Sequence, residues 1–190
     1  MEGTIFGEGL ERNPANYQPL TPLKHLQRAA MVFPDHTAIV HGDLRRSYRE
    51  FYARSRQLAS ALEKAGIKRG DTVAAMLSNT PAMLEAHHGV PMAGAVLLSI
   101  NTRLDADIIA FQLDHGEAKV VLIDREFSGV MQAAIQRAEC NPLVINYDDP
   151  EYPNDAPFPK GAMIGDLEYE AFIADGDPEF DWQMPADEWD

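Results

Sequence analysis

Between residues 72 and 146 the chain alternates between two kinds of pattern. Four short apolar runs read TVAAMLS (72–78), AVLLSI (95–100), KVVLID (119–124) and PLVIN (142–146). Three stretches with helical spacing separate them: PAMLEAHHGVPMAG (81–94), DADIIAFQLDH (105–115) and FSGVMQAAIQRAE (127–139). Near-continuous apolar strands joined by helices are the signature of βαβ units, whose parallel sheet is buried on both faces. The expected fold class is therefore α/β, a largely parallel sheet flanked by helices.

The flanking segments fit that frame. Thr21 and Pro22 suit a helix start, with Leu23, Leu26, Ala30 and Phe33 at helical spacing before Pro34. TAIVHGDLRRSY reads as two strands around a Gly42–Asp43 turn. Ser47 caps a helix of about five turns whose apolar face is Phe51, Leu58, Leu62 and Ala65, with Gly66 at its end. Asp105 suits the start of the 105–115 helix, and Gly116 its end. Residues 1–20 read as an extended arm, 21–147 as the α/β unit, and 148–190 as an acidic, proline-rich segment with a short helix from Asp166. Trp182 and Trp189 are expected to lack cover from anything that follows them.

Charge is distributed unevenly. Residues 1–144 hold 16 acidic and 15 basic residues, whereas 145–190 hold 14 acidic residues and only Lys160, most of the net −14. An acidic chain is a poor match for a phosphate backbone, so nucleic acid is disfavoured as a partner. No apolar run reaches the ~18 residues of a membrane span. The N-terminus lacks the basic and apolar regions of a secretory signal. Cys140 is the only cysteine, which removes intrachain disulfides and cysteine-based zinc sites. A cytoplasmic protein is expected.

Candidate chemistry is sparse. His87 and His88 follow Glu85, but neighbours on a helix point about 100° apart, so the two imidazoles do not make a metal pair. Either both are structural, or one lines a ligand cavity beside a helix that Pro91 is expected to kink. Arg45, Arg46, Arg49, Arg54, Arg56, Lys64, Lys68 and Arg69 could face phosphate, but a solvated helix face is the simpler reading. Cys140 has no histidine nearby in the local sequence, and Ser78, Ser99 and Ser128 lack a nucleophile elbow. Neither GxGxxG after a strand nor GxxxxGK[ST] occurs. No catalytic, cofactor-binding or metal-ligating residue is assigned.

The stretch from Arg46 to Asp124 resembles the N-terminal region of the acyl-adenylate-forming enzymes: acyl-CoA synthetases, peptide-synthetase adenylation domains and luciferases. RSYREF is similar to that family's T-Y-x-E-L, and GIKRGDTVAAMLSN to its G-[LV]-x-x-G-D-x-V-A-x-x-x-x-N. GVPMAGAVLLSINTRL is similar to its G-x-x-x-A-G-A-V-x-x-x-x-N-x-R-L. The likeness is good over residues 20–147 and looser in the tail. It is nearest the acyl-activating branch that takes short- or medium-chain acids, methylmercaptopropionate ligases among them.

The resemblance implies a parent enzyme using ATP, Mg and CoA. A carboxylate would attack the α-phosphate to give acyl-AMP and pyrophosphate, and the CoA thiol would then displace AMP. It also implies a Ser/Thr/Gly-rich loop, a Tyr-Gly-x-Thr-Glu segment, a ribose-binding Asp and a distant lysine, none of which this sequence contains. The chain is thus expected to be a truncated N-terminal subdomain, inactive alone, whose partners are the acid, ATP, CoA and the rest of its own chain, a homo-oligomer being open. The alternative is a stand-alone, non-catalytic binding or regulatory module. If either histidine matters to function, it is expected to bear on acid preference more than on ATP affinity.

Overall fold

The four apolar runs form the middle of one parallel sheet. In this computed structural model, which describes residues 9, 11, 13–153, 155–156 and 159–187, they become β3 (Thr72–Met76), β4 (Val96–Ser99), β5 (Ala118–Asp124) and β6 (Leu143–Tyr147). A fifth strand, β7 (Leu167–Glu168), pairs with β6 where a helix from Asp166 is expected. The helix, α6 (Tyr169–Ala174), starts only afterwards, capped by Glu168 accepting from Ala171 N–H at 3.0 Å. Strand order is β4-β3-β5-β6-β7, all parallel. Trp189 and the first eight residues of the arm lie outside the described residues.

Helices cover both faces, as buried parallel strands require. On one side α2 (Tyr48–Lys64), α3 (Pro81–Met92) and α6 bury Leu58, Leu62, Ala86, Val90 and Ile173 against Val73, Ala75, Val120 and Leu122. On the other, α4 (Ala106–His115) and α5 (Ser128–Ile135) bury Ile109, Leu113 and Met131 against Ala74, Met76, Val121 and Ile123. The alternation of faces along β3 and β5 is the period-2 rule at work. Each fully buried Leu, Ile or Met contributes about 1.5–3 kcal/mol of transfer free energy.

Helix ends follow local chemistry. Ser47 and Glu50 form a capping box at the start of α2. At its end Gly66 takes φ 91°, and Ile67 N–H reaches back to Leu62 O at 3.0 Å. That is a Schellman closure, with the buried Ile67 against Leu62 as its apolar contact. Ala65, expected on the apolar face, is the exposed C-cap residue instead. Asp105 caps α4 through Asp107 and Ile108 N–H. After α4, however, the left-handed residue is Glu117 (φ 50°), while Gly116 stays right-handed. Helices α2 and α3 pack tightly at Gly89, where a Cβ would lie 2.8 Å from both Leu58 Cδ2 and Ser55 O. Pro91 falls in the last turn of α3, which ends at Met92 and not at Gly94.

A satellite core lies beside this unit. The hairpin β1 (Thr37–His41) and β2 (Leu44–Ser47) turns at Gly42–Asp43, and α1 (Leu23–Val32) packs Leu23 and Leu26 against Ile39, Phe51 and Trp182. Trp182 is covered all the same. Chain upstream of it supplies the cover, and its indole N–H donates to the Tyr52 hydroxyl at 2.9 Å.

Candidate functional site

The sheet's connections place a crevice at one edge. From β3 the chain crosses by α3 to β4 on one side, then by α4 to β5 on the other, so β3 and β5 flank a topological switch point. Ligands of open α/β sheets bind outside the carboxyl ends of strands at such points. Here those ends carry Ser78 and Asn79 after β3, Asn101 and Thr102 after β4, and Asp124 and Glu126 at β5. Ser78 Oγ donates to Glu126 Oε2 at 2.9 Å, joining the β3 and β5 loops.

Asp124 is 2% exposed and accepts from Glu126 N–H at 3.0 Å. Burial, with Glu126 and Asp149 adding repulsion, pushes its carboxyl up to about 6. Asp149 itself is held by His41 Nε2 at 2.8 Å. Tyr147, at the end of β6, is pushed above the ordinary phenol range by burial and by the Asp149 and Glu85 charges. Arg125 and Lys160 both bind Asp148 beside it, at 2.6 and 2.5 Å.

Beside the carboxyl edge of the sheet lies a cleft of about 470 Å³ bordered by Ser78, Asn79, His87, Ser99, Asn101 and Thr102. The two histidines separate here. The His87 Nδ1–H donates to Met83 O at 2.8 Å, which leaves Nε2 as the second polar atom of a ring that borders the cleft. His88 makes the same bond to Leu84 O at 3.0 Å, but its ring stands edge-on to Phe51 at 5.0 Å, and burial pulls its pKa down. They do not face a common point.

Of the basic residues, Arg45, Arg49, Lys64, Lys68 and Arg69 are exposed as a solvated face requires, whereas Arg46, Arg54 and Arg56 are not. Arg46 and Arg54 side chains are only 14% and 18% exposed, and both bind Glu85, whose side chain is wholly buried. Glu85 Oε1 accepts from Arg46 Nη1 and Arg54 Nε, both at 2.6 Å; Oε2 accepts from Arg54 Nη2 at 3.2 Å and the Tyr169 hydroxyl at 2.8 Å. Four bonds fill the carboxylate's acceptor capacity. Burial opposes the Arg54 charge, but Glu85 and Glu170 outweigh it and raise its pKa. Burial and the Glu85 charge raise that of Tyr169. Arg45 donates to Gly42 O, Arg49 to Asp35, Arg56 to Glu179 and Lys64 to Asp175 O. Among the described residues, no lysine or arginine lines the cleft.

The remaining candidates are also placed. Ser99 borders the cleft and Ser128 is buried at the start of α5. Cys140 has its thiol pKa raised by burial and by Asp114, the reverse of what activates a nucleophile. Sequence reasoning missed the Glu85 cluster and Asp124. A lone acid on the buried side of α3 and an acid closing an apolar strand were the available signals.

A polyphosphate at the crevice would meet the Asp124 and Glu126 carboxylates, while the nearby cations Arg125 and Lys160 are paired with Asp148. Among the described residues, no group of three or more His, Cys, Asp or Glu is placed to hold a metal ion. No helix among them is long and apolar enough to cross a membrane.

An open, doubly wound parallel sheet with helices on both faces defines the class: an α/β subdomain. Residues 26–177 match the family model described as AMP-binding enzyme. The chain belongs to that family. It is 44% identical over 193 residues to the peroxisomal acetate/butyrate–CoA ligase AAE7 of Arabidopsis thaliana, covering 96% of this chain and 33% of that protein. It is 42% identical over 190 residues to the acetate–CoA ligase CCL3 of Humulus lupulus, with the same coverage. The anthranilate CoA ligase AuaEII, solved in complex with anthranoyl-AMP, superposes with a TM-score of 0.77 at 17% identity, covering 91% of this chain and 32% of that one; this likeness is one of fold. The chain spans about a third of the length of the curated relatives it matches.

Proposed function

We propose that this chain is the N-terminal portion of an AMP-forming acid–CoA ligase acting on a short- or medium-chain carboxylic acid. The observation that carries the reading is 44% identity over nearly the whole chain to a relative named for acetate and butyrate. Residues 21–147 are the α/β subdomain, 1–20 an arm, and 148–190 a segment leading toward the nucleotide-binding loop of the longer enzyme. ATP, magnesium and CoA belong to that enzyme, and their charged groups are held by residues beyond these 190. This portion supplies scaffold and one wall, contributes no catalytic residue, and is inactive alone. His87, which borders the cleft, bears on acid preference, and His88 does not. A reducing compartment suits a chain with one cysteine. The cytoplasm is the compartment proposed, the alternative being the peroxisome named for the Arabidopsis relative.

The test is a ligase assay on the product of the gene's whole reading frame, across acetate, butyrate and longer acids. Thioester formation with release of AMP and pyrophosphate, strongest on the shorter acids, is expected. A folded product that forms no thioester with any acid would leave the stand-alone binding module as the better reading.

A further inference from the structure

Residues 175–184 contain no helix or strand, yet they are fixed along most of α2. The segment runs antiparallel to that helix in matched steps. Lys64 Nζ donates to Asp175 O, Gly176 lies against Gln57, Arg56 Nη2 donates to Glu179 at 2.9 Å, and Tyr52 meets Trp182. Gly176 is buried, and a Cβ there would strike the Gln57 carbonyl, so a side chain would push the segment off the helix.

Trp182 holds the far end. It is 8% exposed and packs with Leu23, Leu26, Phe51 and Met92. Its indole N–H donates to the Tyr52 hydroxyl at 2.9 Å, and Lys24 Nζ stands 5.9 Å over the ring. Arg56 lies 4.5 Å over the Tyr52 ring, so the guanidinium that holds Glu179 also braces the acceptor of Trp182. A buried indole N–H needs its partner, which gives the ring one orientation within its pocket. Past it, Gln183 and Pro185 border a cleft of about 310 Å³ with Pro91 and Gly94 at the end of α3. Ordering irregular chain costs conformational entropy. Covering α1 and α2 requires apolar side chains alone. The close approach at Gly176 and the directed N–H bond at Trp182 add register, which cover does not require.

We infer that Gly176 and Trp182 are positioning residues for the nucleotide step: they hold 175–184 in one register on α2 and so fix where the chain enters the nucleotide-binding loop. The inference rests on the ligase reading above. Both residues act through that loop, and a shift of about 1 Å at a reacting group can cost on the order of a hundredfold in rate.

The test uses the product of the gene's whole reading frame, with Trp182→Leu and the milder Tyr52→Phe, which removes only the hydroxyl that accepts from the indole. The kcat/KM is measured for ATP and for CoA. In the two-step reaction CoA meets only acyl-AMP already formed, so its kcat/KM excludes the adenylation step, whereas loss of folded protein lowers both values alike. For ATP a fall of at least about tenfold is expected in Trp182→Leu and a smaller one in Tyr52→Phe, with the CoA value within about twofold of the unsubstituted enzyme. Where Trp182→Leu lowers the yield of folded protein, Tyr52→Phe decides by the same comparison. The inference is overturned if the two values fall together, because the segment then only stabilises the fold, or if neither falls. An unsubstituted product that forms no thioester with any acid sinks the ligase reading itself, and this inference with it.

Discussion

Glu85 and Asp124 are carboxylates buried to nearly the same degree, 0% and 2% exposed, yet their surroundings are opposite. Glu85 meets two guanidinium groups and a tyrosine hydroxyl, which tie β2, α2, α3 and α6 together. Asp124 meets backbone N–H groups and the neighbouring charges of Glu126 and Asp149. Burial alone therefore does not decide what a buried acid does; its partners do. The first arrangement is a structural tie. The second leaves a titratable group at the carboxyl edge of the sheet.

The contrast can be broken most severely at Glu85. Glu85→Ala strands two largely buried arginines and is expected to cost about 3–5 kcal/mol in urea unfolding; a loss below about 1 kcal/mol would mean the cluster is dispensable. Asp124→Asn should act in the other direction. The folded carboxyl sits near 6 against 3.8 for its ordinary value, so the native state binds more protons between those values, and stability falls as pH rises through that window. The substitution should raise stability at pH 7.5 by on the order of 2–3 kcal/mol and change little near pH 4. A melting curve that is equally shifted at both pH values would remove the ionisation account.

Smaller effects sharpen the same comparison. Ser78→Ala frees Glu126 to turn toward water, and the Asp124 carboxyl, followed by carbon-detected NMR, should titrate lower by less than about one pH unit; no movement would mean Glu126 does not press on Asp124. Arg49→Ala removes a pair with Asp35 whose side chains are 66% and 84% exposed. Exposed pairs contribute little, so its melting temperature should stay within the scatter of replicate melts. A clear drop would show that exposed and buried pairs differ less here than their exposures indicate.

The fold was legible because burial writes itself into periodicity. The four central strands, the capped α2 and α4 and the hairpin turn all follow from local pattern. Strand β7 was not legible, since two residues carry no period and its pairing is set by β6, about twenty residues away. The burial of Trp182 depends on Tyr52, 130 positions upstream. The Glu85 cluster joins residues 31 to 84 positions apart, and only the lone acid on a buried helix face hinted at it. Arg46 and Arg54 looked like surface charges because helical spacing says which face a residue occupies, not what packs over it. Family membership was legible in the Arg46–Asp124 motifs, whereas the crevice emerged only from strand order.

The most direct test of the account is isothermal titration of Mg-ATP into the 190-residue chain. If the nucleotide's phosphates are held by residues beyond this portion, only heats of dilution should appear. Saturable binding in the micromolar range, abolished by a charge change at Asp124 or Glu126, would contradict it.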